Sequence, residues 1–342
     1  MAKAIRLLPL QKYLRYLRIL LISRGYFRNW FPAGLRYFLY SKGLLEVNVI
    51  DVKCKDGSIT HLPPKLYELL LSGLLDGLFK DLNCKDGVAV ARGFVIPFRE
   101  LLVSECALDA LGYGWKYKED YGYWFKNNVR FRHMHWPILG VFDWGEYDAL
   151  NVKNKVIVNI GAFVGDSSIY FALRGAKRVI AIEPHPEAFK EMLENIRLNN
   201  LENMIIPVNA GLASKPGRIC IRDVDVVHTE GAYYRLSECN SKIPAITLGE
   251  LIDKYSIDNN AVLKMDCEGC EYDVILNDYE HVRVFDEVYF EYHAYITKIS
   301  IDLLLKKLSR DFVCKIVSDN EFYKRLGFNK RLLGLIKCTK NR

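Results

Sequence analysis

The stretch "VIVNIGAFVGDSS", residues 156–168, decides the fold of this 342-residue chain. An apolar run is followed by two glycines, Gly161 and Gly165, and then by an acid and two hydroxyl residues that open a helix. Glycines let the backbone approach a ligand closely, and a helix N-terminus carries unpaired N–H groups and a partial positive charge. The pattern therefore indicates the binding loop of a nucleotide-like cofactor.

Alternating strands and helices continue from this loop. The apolar runs "RVIAIEP", "MIIPVNAGL", "AVLKMDCEG" and "EVYFEYH" read as further strands, separated by helical segments. Repeated βα units predict a mostly parallel sheet with helices on both faces, over a domain of residues 151–342. Ligands of such folds bind at the carboxyl ends of the strands, which is where the polar residues of this sequence gather.

A second cofactor signal is Glu183, which ends the next predicted strand 22 residues after Gly161. A carboxylate at this place can accept hydrogen bonds from both ribose hydroxyls, so an adenosine-bearing cofactor is indicated. The glycine spacing differs from the G-x-G-x-x-G of most dinucleotide sites. The spacing alone leaves both NAD and S-adenosylmethionine open.

Four ordered segments resemble the FkbM-type family of S-adenosylmethionine-dependent methyltransferases. The segments are "VIVNIGAFVGDSSIYFALRGAKRVIAIEPHPEAFKEMLENIRLNN", "NAGLAS", "LKMDCEGCEYDVIL" and "FEYH", within residues 155–295. The resemblance implies an α/β, Rossmann-like class I methyltransferase fold: a mostly parallel seven-stranded sheet with helices on both faces. The last strand of such a sheet is inserted antiparallel, and "FVCKIVS" with "RLLGLIKCT" fits that ending.

The same resemblance implies a set of cofactor-binding residues. Gly161 and Gly165 would lie beneath the methionine part, and Glu183 would bind the ribose. The remaining implied residues are Asn209, Gly211 and Leu212 beside the adenine, and Asp266 facing cofactor and substrate.

Asn159 departs from the family, which usually has an acid at this position to meet the cofactor's ammonium group. Asparagine accepts a hydrogen bond through its oxygen but brings no charge. We therefore expect weaker cofactor binding, or compensation by Asp166 or Asp266.

Three residues are candidates for the chemistry. Methyl transfer needs in-line positioning of the acceptor, and a hydroxyl acceptor must also lose its proton to a nearby base. Asp266, Glu268 and His293 each follow or end a predicted strand on the cofactor side, and histidine is the side chain whose ordinary pKa lies near neutral pH. Glu271 would open the following helix, where an acid also complements the helix dipole with no further role.

The sequence predicts an enzyme that methylates a hydroxyl oxygen on a sugar, glycan or glycolipid. One alternative is a nucleic-acid or other N-methyltransferase, suggested by the basic N-terminus, although no Asn-Pro-Pro-aromatic motif is present. The others are a NAD-dependent oxidoreductase and a non-catalytic module that binds S-adenosylmethionine. Nucleic acid is the less favoured partner, and nothing indicates the oligomeric state.

The nine cysteines are scattered and odd in number, which favours a reducing compartment over a disulfide framework. Cys267 and Cys270 form a lone C-x-x-C and are interpreted as packing residues. His133 and His135 lie two apart, but no further ligands are identifiable. No metal site is therefore predicted.

The net charge of +7 belongs to the N-terminus. Residues 1–45 contain nine basic residues and no acid, and read as a basic amphipathic helical segment. A surface helix, contact of residues 1–42 with an anionic membrane, and binding of nucleic acid or another anionic partner all fit this pattern. Residues 46–150 read as an α+β accessory or cap region. With no leader and no spanning run in the sequence, a cytoplasmic protein, at most peripheral on a membrane, is expected.

Overall fold

The computed structural model describes residues 8–220, 243–317 and 331–341. The chain divides into two compact units, residues 1–135 and residues 136–342. The first seven residues of the predicted basic segment lie outside the described ranges. Among the described helices, none has the length and apolarity needed to cross a bilayer.

Short helices and antiparallel strands build the unit of residues 1–135. Its helices are α1 (Leu8–Ser23), α2 (Trp30–Ser41), α3 (Pro64–Leu75), α4 (Phe98–Val103) and α5 (Ala107–Gly112). Its strands are β1 (Ile50–Lys53), β2 (Ile59–Leu62), β3 (Asp81–Asn83), β4 (Val88–Val90), β5 (Val95–Pro97), β6 (Lys116–Lys118), β7 (Tyr123–Lys126) and β8 (Val129–Phe131). They pair as one two-stranded and two three-stranded antiparallel sheets, so the unit is α+β.

A buried carboxylate organises the end of this unit. Glu100 accepts hydrogen bonds from the Trp124 indole at 2.7 Å and from the Ser104 hydroxyl at 2.5 Å. Nδ1 of His133 lies 3.1 Å from the same carboxylate. His133 is therefore part of a structural polar network in this unit, which the sequence spacing of the two histidines did not indicate.

The unit of residues 136–342 alternates strands and helices. Its helices are α6 (Trp136–Phe142), α7 (Asp166–Leu173), α8 (Pro186–Leu198), α9 (Leu248–Tyr255), α10 (Cys270–Asn277), α11 (Tyr279–Val282), α12 (Ala294–Thr297) and α13 (Ile301–Leu308). Its strands are β9 (Val156–Ile160), β10 (Arg178–Ile182), β11 (Ile205–Val208), β12 (Gly211–Leu212), β13 (Gly217–Ile219), β14 (Ile243–Ile246), β15 (Val262–Met265), β16 (Glu287–His293), β17 (Phe312–Ile316) and β18 (Leu333–Lys340).

Seven of these strands form one sheet in the order β11-β10-β9-β15-β16-β18-β17. The five strands β11, β10, β9, β15 and β16 are parallel to one another. Strand β18 is inserted between β16 and β17 and is antiparallel to both. This is the sheet that the resemblance implies, so the predicted α/β, class I methyltransferase fold is confirmed. The strand order reverses between β9 and β15, and ligands of open α/β sheets bind at the carboxyl ends beside such a point.

Burial explains why the central strands read as apolar runs. All five residues of β9 and all four of β15 are buried, as expected for parallel strands covered by helices on both faces. Local capping also follows the sequence. The Thr-x-x-Glu spacing of Thr247 and Glu250 predicts a capping box at the start of α9, and the structure has it, with each side chain accepting a hydrogen bond from the backbone N–H of the other residue.

The cysteines differ from the expectation drawn from their spacing. Disulfide bonds join Cys54 to Cys84, Cys267 to Cys270 and Cys314 to Cys338. The interpretation of scattered, unpaired cysteines is therefore wrong for these six residues. The physical reason is that spacing along the chain does not report which sulfurs strand pairing brings together; Cys314 and Cys338, for example, are register partners on β17 and β18.

Candidate active site

The turn after β9 brings two loops into main-chain contact. Gly161 has φ +71°, a conformation that strongly favours glycine, and its N–H donates to the carbonyl of Ile182 at 3.0 Å. A Cβ atom on Gly161 would lie 1.6 Å from the main-chain oxygen of Asp266. A glycine is therefore required here because the loop after β9 passes directly against the loop after β15.

Asp166 opens α7 behind the second glycine of the loop. Gly165 lies at the N-cap of α7 with φ +88°, and Asp166 is only 4% exposed. The Oδ1 atom of Asp166 is buried and has no hydrogen-bond partner among the described residues. Burial raises the pKa of Asp166 to about 6, although the charge of Lys264 opposes the rise. An unsatisfied carboxylate oxygen at a helix N-terminus suits a cationic group of a ligand.

Glu183 follows β10 and is also buried. Its Oε2 accepts the N–H of Phe163 at 2.7 Å, and its Oε1 accepts the N–H of His185 at 2.8 Å. Burial raises the pKa of Glu183 to about 7, against the opposing effect of these two hydrogen bonds. The carboxylate thus links the loop after β9 to the first turn of α8.

The residues predicted beside the adenine lie at the ends of β11 and β12. Asn209 donates from Nδ2 to the carbonyl oxygens of Glu183 and Pro184, at 2.8 and 3.3 Å. Gly211 and Leu212 form β12 and are both buried. Asn209 therefore fixes the main chain just after Glu183.

Asn159 is fully buried in β9, with no exposed surface. Its Nδ2 donates to the hydroxyls of Ser167 and Ser168 at 2.9 and 2.7 Å, and its Oδ1 has no partner among the described residues. The side chain thus supports the first turn of α7 from inside the sheet.

Lys264 is a site residue that the sequence reasoning missed. It lies in β15, is 1% exposed, and its Nζ donates to the carbonyl oxygen of Gly161 at 3.0 Å. Its Nζ also lies 3.8 Å from Oδ2 of Asp266. The sequence feature that could have identified Lys264 is a single charged residue within the apolar strand "AVLKMD". A buried ammonium beneath the glycine turn is the positive centre of this edge of the sheet.

The three predicted catalytic residues come together around one imidazole. Nε2 of His293 lies 3.6 Å from Oε2 of Glu268 and 3.8 Å from Oδ1 of Asp266. Its Nδ1 and its main-chain N–H both lie 3.0 Å from Oε1 of Glu271, which is fully buried. Although burial alone would lower the pKa of His293, the carboxylates of Glu268 and Glu271 raise it well above its ordinary value.

Two further acids that the sequence reasoning missed belong to this cluster. Oε2 of Glu291 lies 3.1 Å from Nε2 of His293. Glu291 and His293 are two apart in β16, so strand alternation places both on one face, which was a readable signal. Glu146 is buried, and burial together with the charges of Asp266 and Glu291 raises its pKa well above its ordinary value. No pattern in the sequence connected Glu146 to this edge.

These features define a class of protein. The strand order, the glycine turn after the first sheet strand, the acid after the second, and the polar cluster at the carboxyl ends of β15 and β16 are those of a class I methyltransferase. Residues 159–313 match the family model of the methyltransferase FkbM domain. The chain is therefore an S-adenosylmethionine-dependent methyltransferase, which decides between the two cofactors that the glycine spacing left open.

Two curated proteins illustrate the range of relatives. The chain is 25% identical over 186 residues to the hexuronic acid methyltransferase AglP of Haloferax volcanii, covering 52% of this chain and 75% of AglP. It is 26% identical over 185 residues to the tRNA(Phe) (4-demethylwyosine(37)-C(7)) aminocarboxypropyltransferase of Pyrococcus horikoshii, covering 46% of this chain and 66% of that protein.

Among solved structures, similarity extends to a tRNA m1G37 methyltransferase of M. jannaschii, with 16% identity and a TM-score of 0.35, over 64% of this chain and 56% of that one. It also extends to M. capricolum TrmK in complex with S-adenosylhomocysteine, with 12% identity and a TM-score of 0.33, over 56% and 65% of the two chains. At these scores, the fold assignment rests on the strand order itself.

Proposed function

We propose that this enzyme transfers a methyl group to a hydroxyl oxygen of a sugar, as part of a glycan or glycolipid. The observation that carries this proposal is the group of proton-accepting side chains around His293, at the same edge of the sheet as the glycine turn. Hydroxyl methylation needs a group that removes the acceptor's proton, and the candidates meet here, since Asp266 and Glu268 lie 3.8 and 3.6 Å from Nε2 of His293.

The residues present fit the cofactor. The unpartnered Oδ1 of Asp166 is placed to receive the ammonium group, and the carboxylate of Glu183 suits the ribose hydroxyls. Gly161 and Gly165 form the turn beneath the methionine part, while Asn209, Gly211 and Leu212 border the adenine. When bound, S-adenosylmethionine supplies a methyl group already activated by its sulfonium leaving group.

Asn159 and Asp266 complete the proposed cofactor site in different ways. Asn159 holds Ser167 and Ser168 in the first turn of α7. We therefore assign Asn159 the role of supporting this loop, and not of contacting the cofactor. Asp266 follows β15 and is 28% exposed at its side chain, so it can face both cofactor and acceptor. With Glu268 and His293, Asp266 forms the proposed catalytic group, and Glu271 positions the imidazole.

The charge of the cluster supports a sugar over a nucleic acid. Asp266, Glu268, Glu271 and Glu291 all surround His293, and such an acidic edge repels a phosphate backbone. AglP is a hexuronic acid methyltransferase, which supports a sugar acceptor. Nucleic-acid methylation is the second candidate because two of the curated relatives are named as enzymes that modify tRNA.

The test is transfer of a radiolabelled methyl group from S-adenosylmethionine to a panel of neutral hexosides, a methyl hexuronide and unmodified tRNA. We expect label in a sugar, carried as a methyl ether stable to mild base. The Asp266→Asn and His293→Ala variants should lose most of this activity, whereas Glu280→Gln, an exposed change on α11, should retain it. Label in tRNA and none in sugars would overturn the proposal.

We further propose that residues 1–42, within the basic segment of residues 1–45, contact an anionic membrane, with residues 46–150 as an accessory region and residues 151–342 as the catalytic domain. On α1, Leu14, Leu17 and Leu21 lie on one side and are 45%, 56% and 64% exposed. Arg15 and Arg18 are exposed between them. Exposed leucines flanked by arginines suit the interface of a bilayer that carries a glycolipid acceptor.

A further inference from the structure

A disulfide bond closes a four-residue turn just beyond the carboxyl end of β15. The bond joins Cys267 to Cys270, which is also the first residue of α10. Glu268 and Gly269 are the two residues between the cysteines. The cross-link therefore lies within the segment that carries the Glu268 carboxylate to the imidazole of His293.

Both residues inside this turn have left-handed backbone conformations. Glu268 has φ +56° and Gly269 has φ +115°. Glycine adopts a positive φ readily, but a residue with a long side chain rarely does so unless its surroundings hold it there. A cross-link between the two ends of the turn is such a constraint, because it limits the main-chain paths that can connect them.

The backbone conformation of Glu268 determines where its carboxylate lies. Its Oε2 is 3.6 Å from Nε2 of His293 and accepts a hydrogen bond from the hydroxyl of Tyr295 at 3.4 Å. Burial raises the pKa of Glu268 to about 7, although the charge of His293 opposes the rise. A return of Glu268 to a negative φ would swing the whole side chain, so both contacts depend on the turn.

The disulfide also contacts the acid behind the imidazole. Sγ of Cys267 lies 3.4 Å from Oε2 of Glu271, the same oxygen that accepts the N–H of Gly269 at 3.0 Å. The other oxygen of Glu271 lies 3.0 Å from Nδ1 of His293. A disulfide sulfur carries no hydrogen, whereas a thiol is a weak donor. Opening the disulfide therefore changes the contacts of Glu271 as well as the path of the turn.

The residue before the turn is held without the disulfide. The N–H of Asp266 donates to the carbonyl oxygen of Ile160 at 3.0 Å, and the main-chain oxygen of Asp266 lies against Gly161. These contacts belong to the pairing of β15 with β9 and to the glycine turn. We therefore expect loss of the cross-link to move Glu268 and to leave the glycine turn in place.

One sulfur of the pair can be reached by a reductant. Cys267 is partly exposed, whereas Cys270 is 1% exposed. A thiolate of a dithiol attacks the exposed sulfur, and its second thiol then closes the reductant's own disulfide. The bond between the two cysteines breaks, and two electrons and two protons pass from the dithiol to the cysteine sulfurs.

We propose that the disulfide between Cys267 and Cys270 positions Glu268 within the catalytic group, and that its reduction by a dithiol slows methyl transfer. This inference rests on the proposed methylation of a hydroxyl group. The two cysteines are positioning residues, because they act on the reaction through Glu268 and Glu271.

The first test measures methyl transfer by the full-length protein before and after reduction with dithiothreitol, with the free thiols identified by alkylation and mass spectrometry. We expect kcat for the sugar methylated in the panel to fall about tenfold or more, and the Kd for S-adenosylmethionine to change by less than about twofold. Removal of the dithiothreitol and re-oxidation should restore kcat.

Two double variants separate this disulfide from the others. Cys267→Ala/Cys270→Ala should have the lower kcat with or without dithiothreitol. Cys314→Ala/Cys338→Ala is the matched control, because it lacks a different disulfide of the same unit. It should keep the wild-type kcat and lose it on reduction as the wild type does.

The second test needs no acceptor. The chain contains seven histidines, and in protein with isotope-labelled histidine the ring signal of His293 is identified by its absence in His293→Gln. We expect reduction to shift the nuclear magnetic resonance signal of His293 in the wild type. The same treatment should leave the signal unchanged in Cys267→Ala/Cys270→Ala.

An unchanged His293 signal in fully reduced wild type would overturn the positioning of Glu268 by the disulfide. Equal kcat in oxidised and reduced wild type, or a further loss on reduction of Cys267→Ala/Cys270→Ala, would overturn control of methyl transfer by this bond, while leaving the proposed function standing. Oxidised wild type that methylates no sugar would instead overturn the proposed function, and the His293 signal would still decide the positioning.

Discussion

The ammonium of Lys264 donates a hydrogen bond to the main-chain oxygen of Gly161 at 3.0 Å, beneath the glycine turn that follows β9. Lys264 is also the register partner of Asn159 across β9 and β15. Asn159 is neutral, and the charge of Lys264 also acts on Asp166 and Glu183. Burial raises the pKa of these two acids, and the charge of Lys264 lowers it.

Asp166 rather than Asn159 is expected to determine affinity for the cofactor's ammonium. The Asp166→Asn variant should bind S-adenosylmethionine about 10- to 100-fold more weakly, because a charge-assisted hydrogen bond is lost. Asn159→Asp should change affinity by less than about threefold, since Asn159 has no exposed surface. Isothermal calorimetry on both variants measures this. Strong tightening in Asn159→Asp would show that position 159 faces the ammonium, as the family resemblance implied.

Substitution of Gly161 and of Gly165 by alanine should lower the free energy of unfolding by unequal amounts. Gly161→Ala places a Cβ against the Asp266 main chain, which cannot move without displacing β15, so we expect a loss of roughly 3–5 kcal/mol in the free energy of unfolding. In Gly165→Ala the nearest atom is Cγ of the flexible Met192 side chain, so only the positive φ is costly, about 1–2 kcal/mol. Urea denaturation compares them, and equal losses would contradict the close approach of the two loops.

Glu183 should make stability depend on pH between about 4.5 and 7. The folded chain keeps the Glu183 proton up to about pH 7, whereas the unfolded chain releases it near the ordinary value of 4.5. The contribution of Glu183 to the free energy of unfolding is therefore complete below pH 4.5 and is lost as the pH rises through about 7. It amounts to roughly 3 kcal/mol.

The measurement is the free energy of unfolding of wild type minus that of Glu183→Gln, at several pH values. Other titrating groups are common to both proteins and largely cancel in this difference. The difference should fall as the pH rises from 4.5 to 8. A flat difference would show that Glu183 is not held in the protonation state that its burial implies.

The exposed leucines of α1 should be needed for membrane binding. Vesicles containing anionic phosphatidylglycerol are expected to co-sediment with the full-length chain, and the Leu17→Glu/Leu21→Glu variant should lose most of this binding. Leu303→Glu, on α13, is the matched control because Leu303 is 51% exposed and lies outside the basic segment. Equal loss in the control, or no binding of the wild type, would contradict the proposed membrane contact.

Much of the fold was predictable because its signals are local. Apolar runs ending in polar residues predicted β9, β10, β15 and β16, and the capping-box spacing predicted the start of α9. The antiparallel insertion of β18 followed from the family resemblance rather than from any local pattern. The disulfide between Cys314 and Cys338 was not predictable, because it depends on the register between β17 and β18.

The sequence by itself determined the βα order, the glycine turn and the acids at the strand ends, because each depends on residues close together along the chain. Only the tertiary structure decided which groups meet: Lys264 beneath Gly161, and Glu291 with Glu146 beside Asp266. Lys264 and Gly161 are 103 positions apart in the chain, and Glu146 is 120 positions from Asp266, so the pairing of parallel strands and the burial of their edges bring these groups together. Asn159 illustrates the division, since its identity was readable in the sequence, whereas its burial against Ser167 and Ser168 was set by packing.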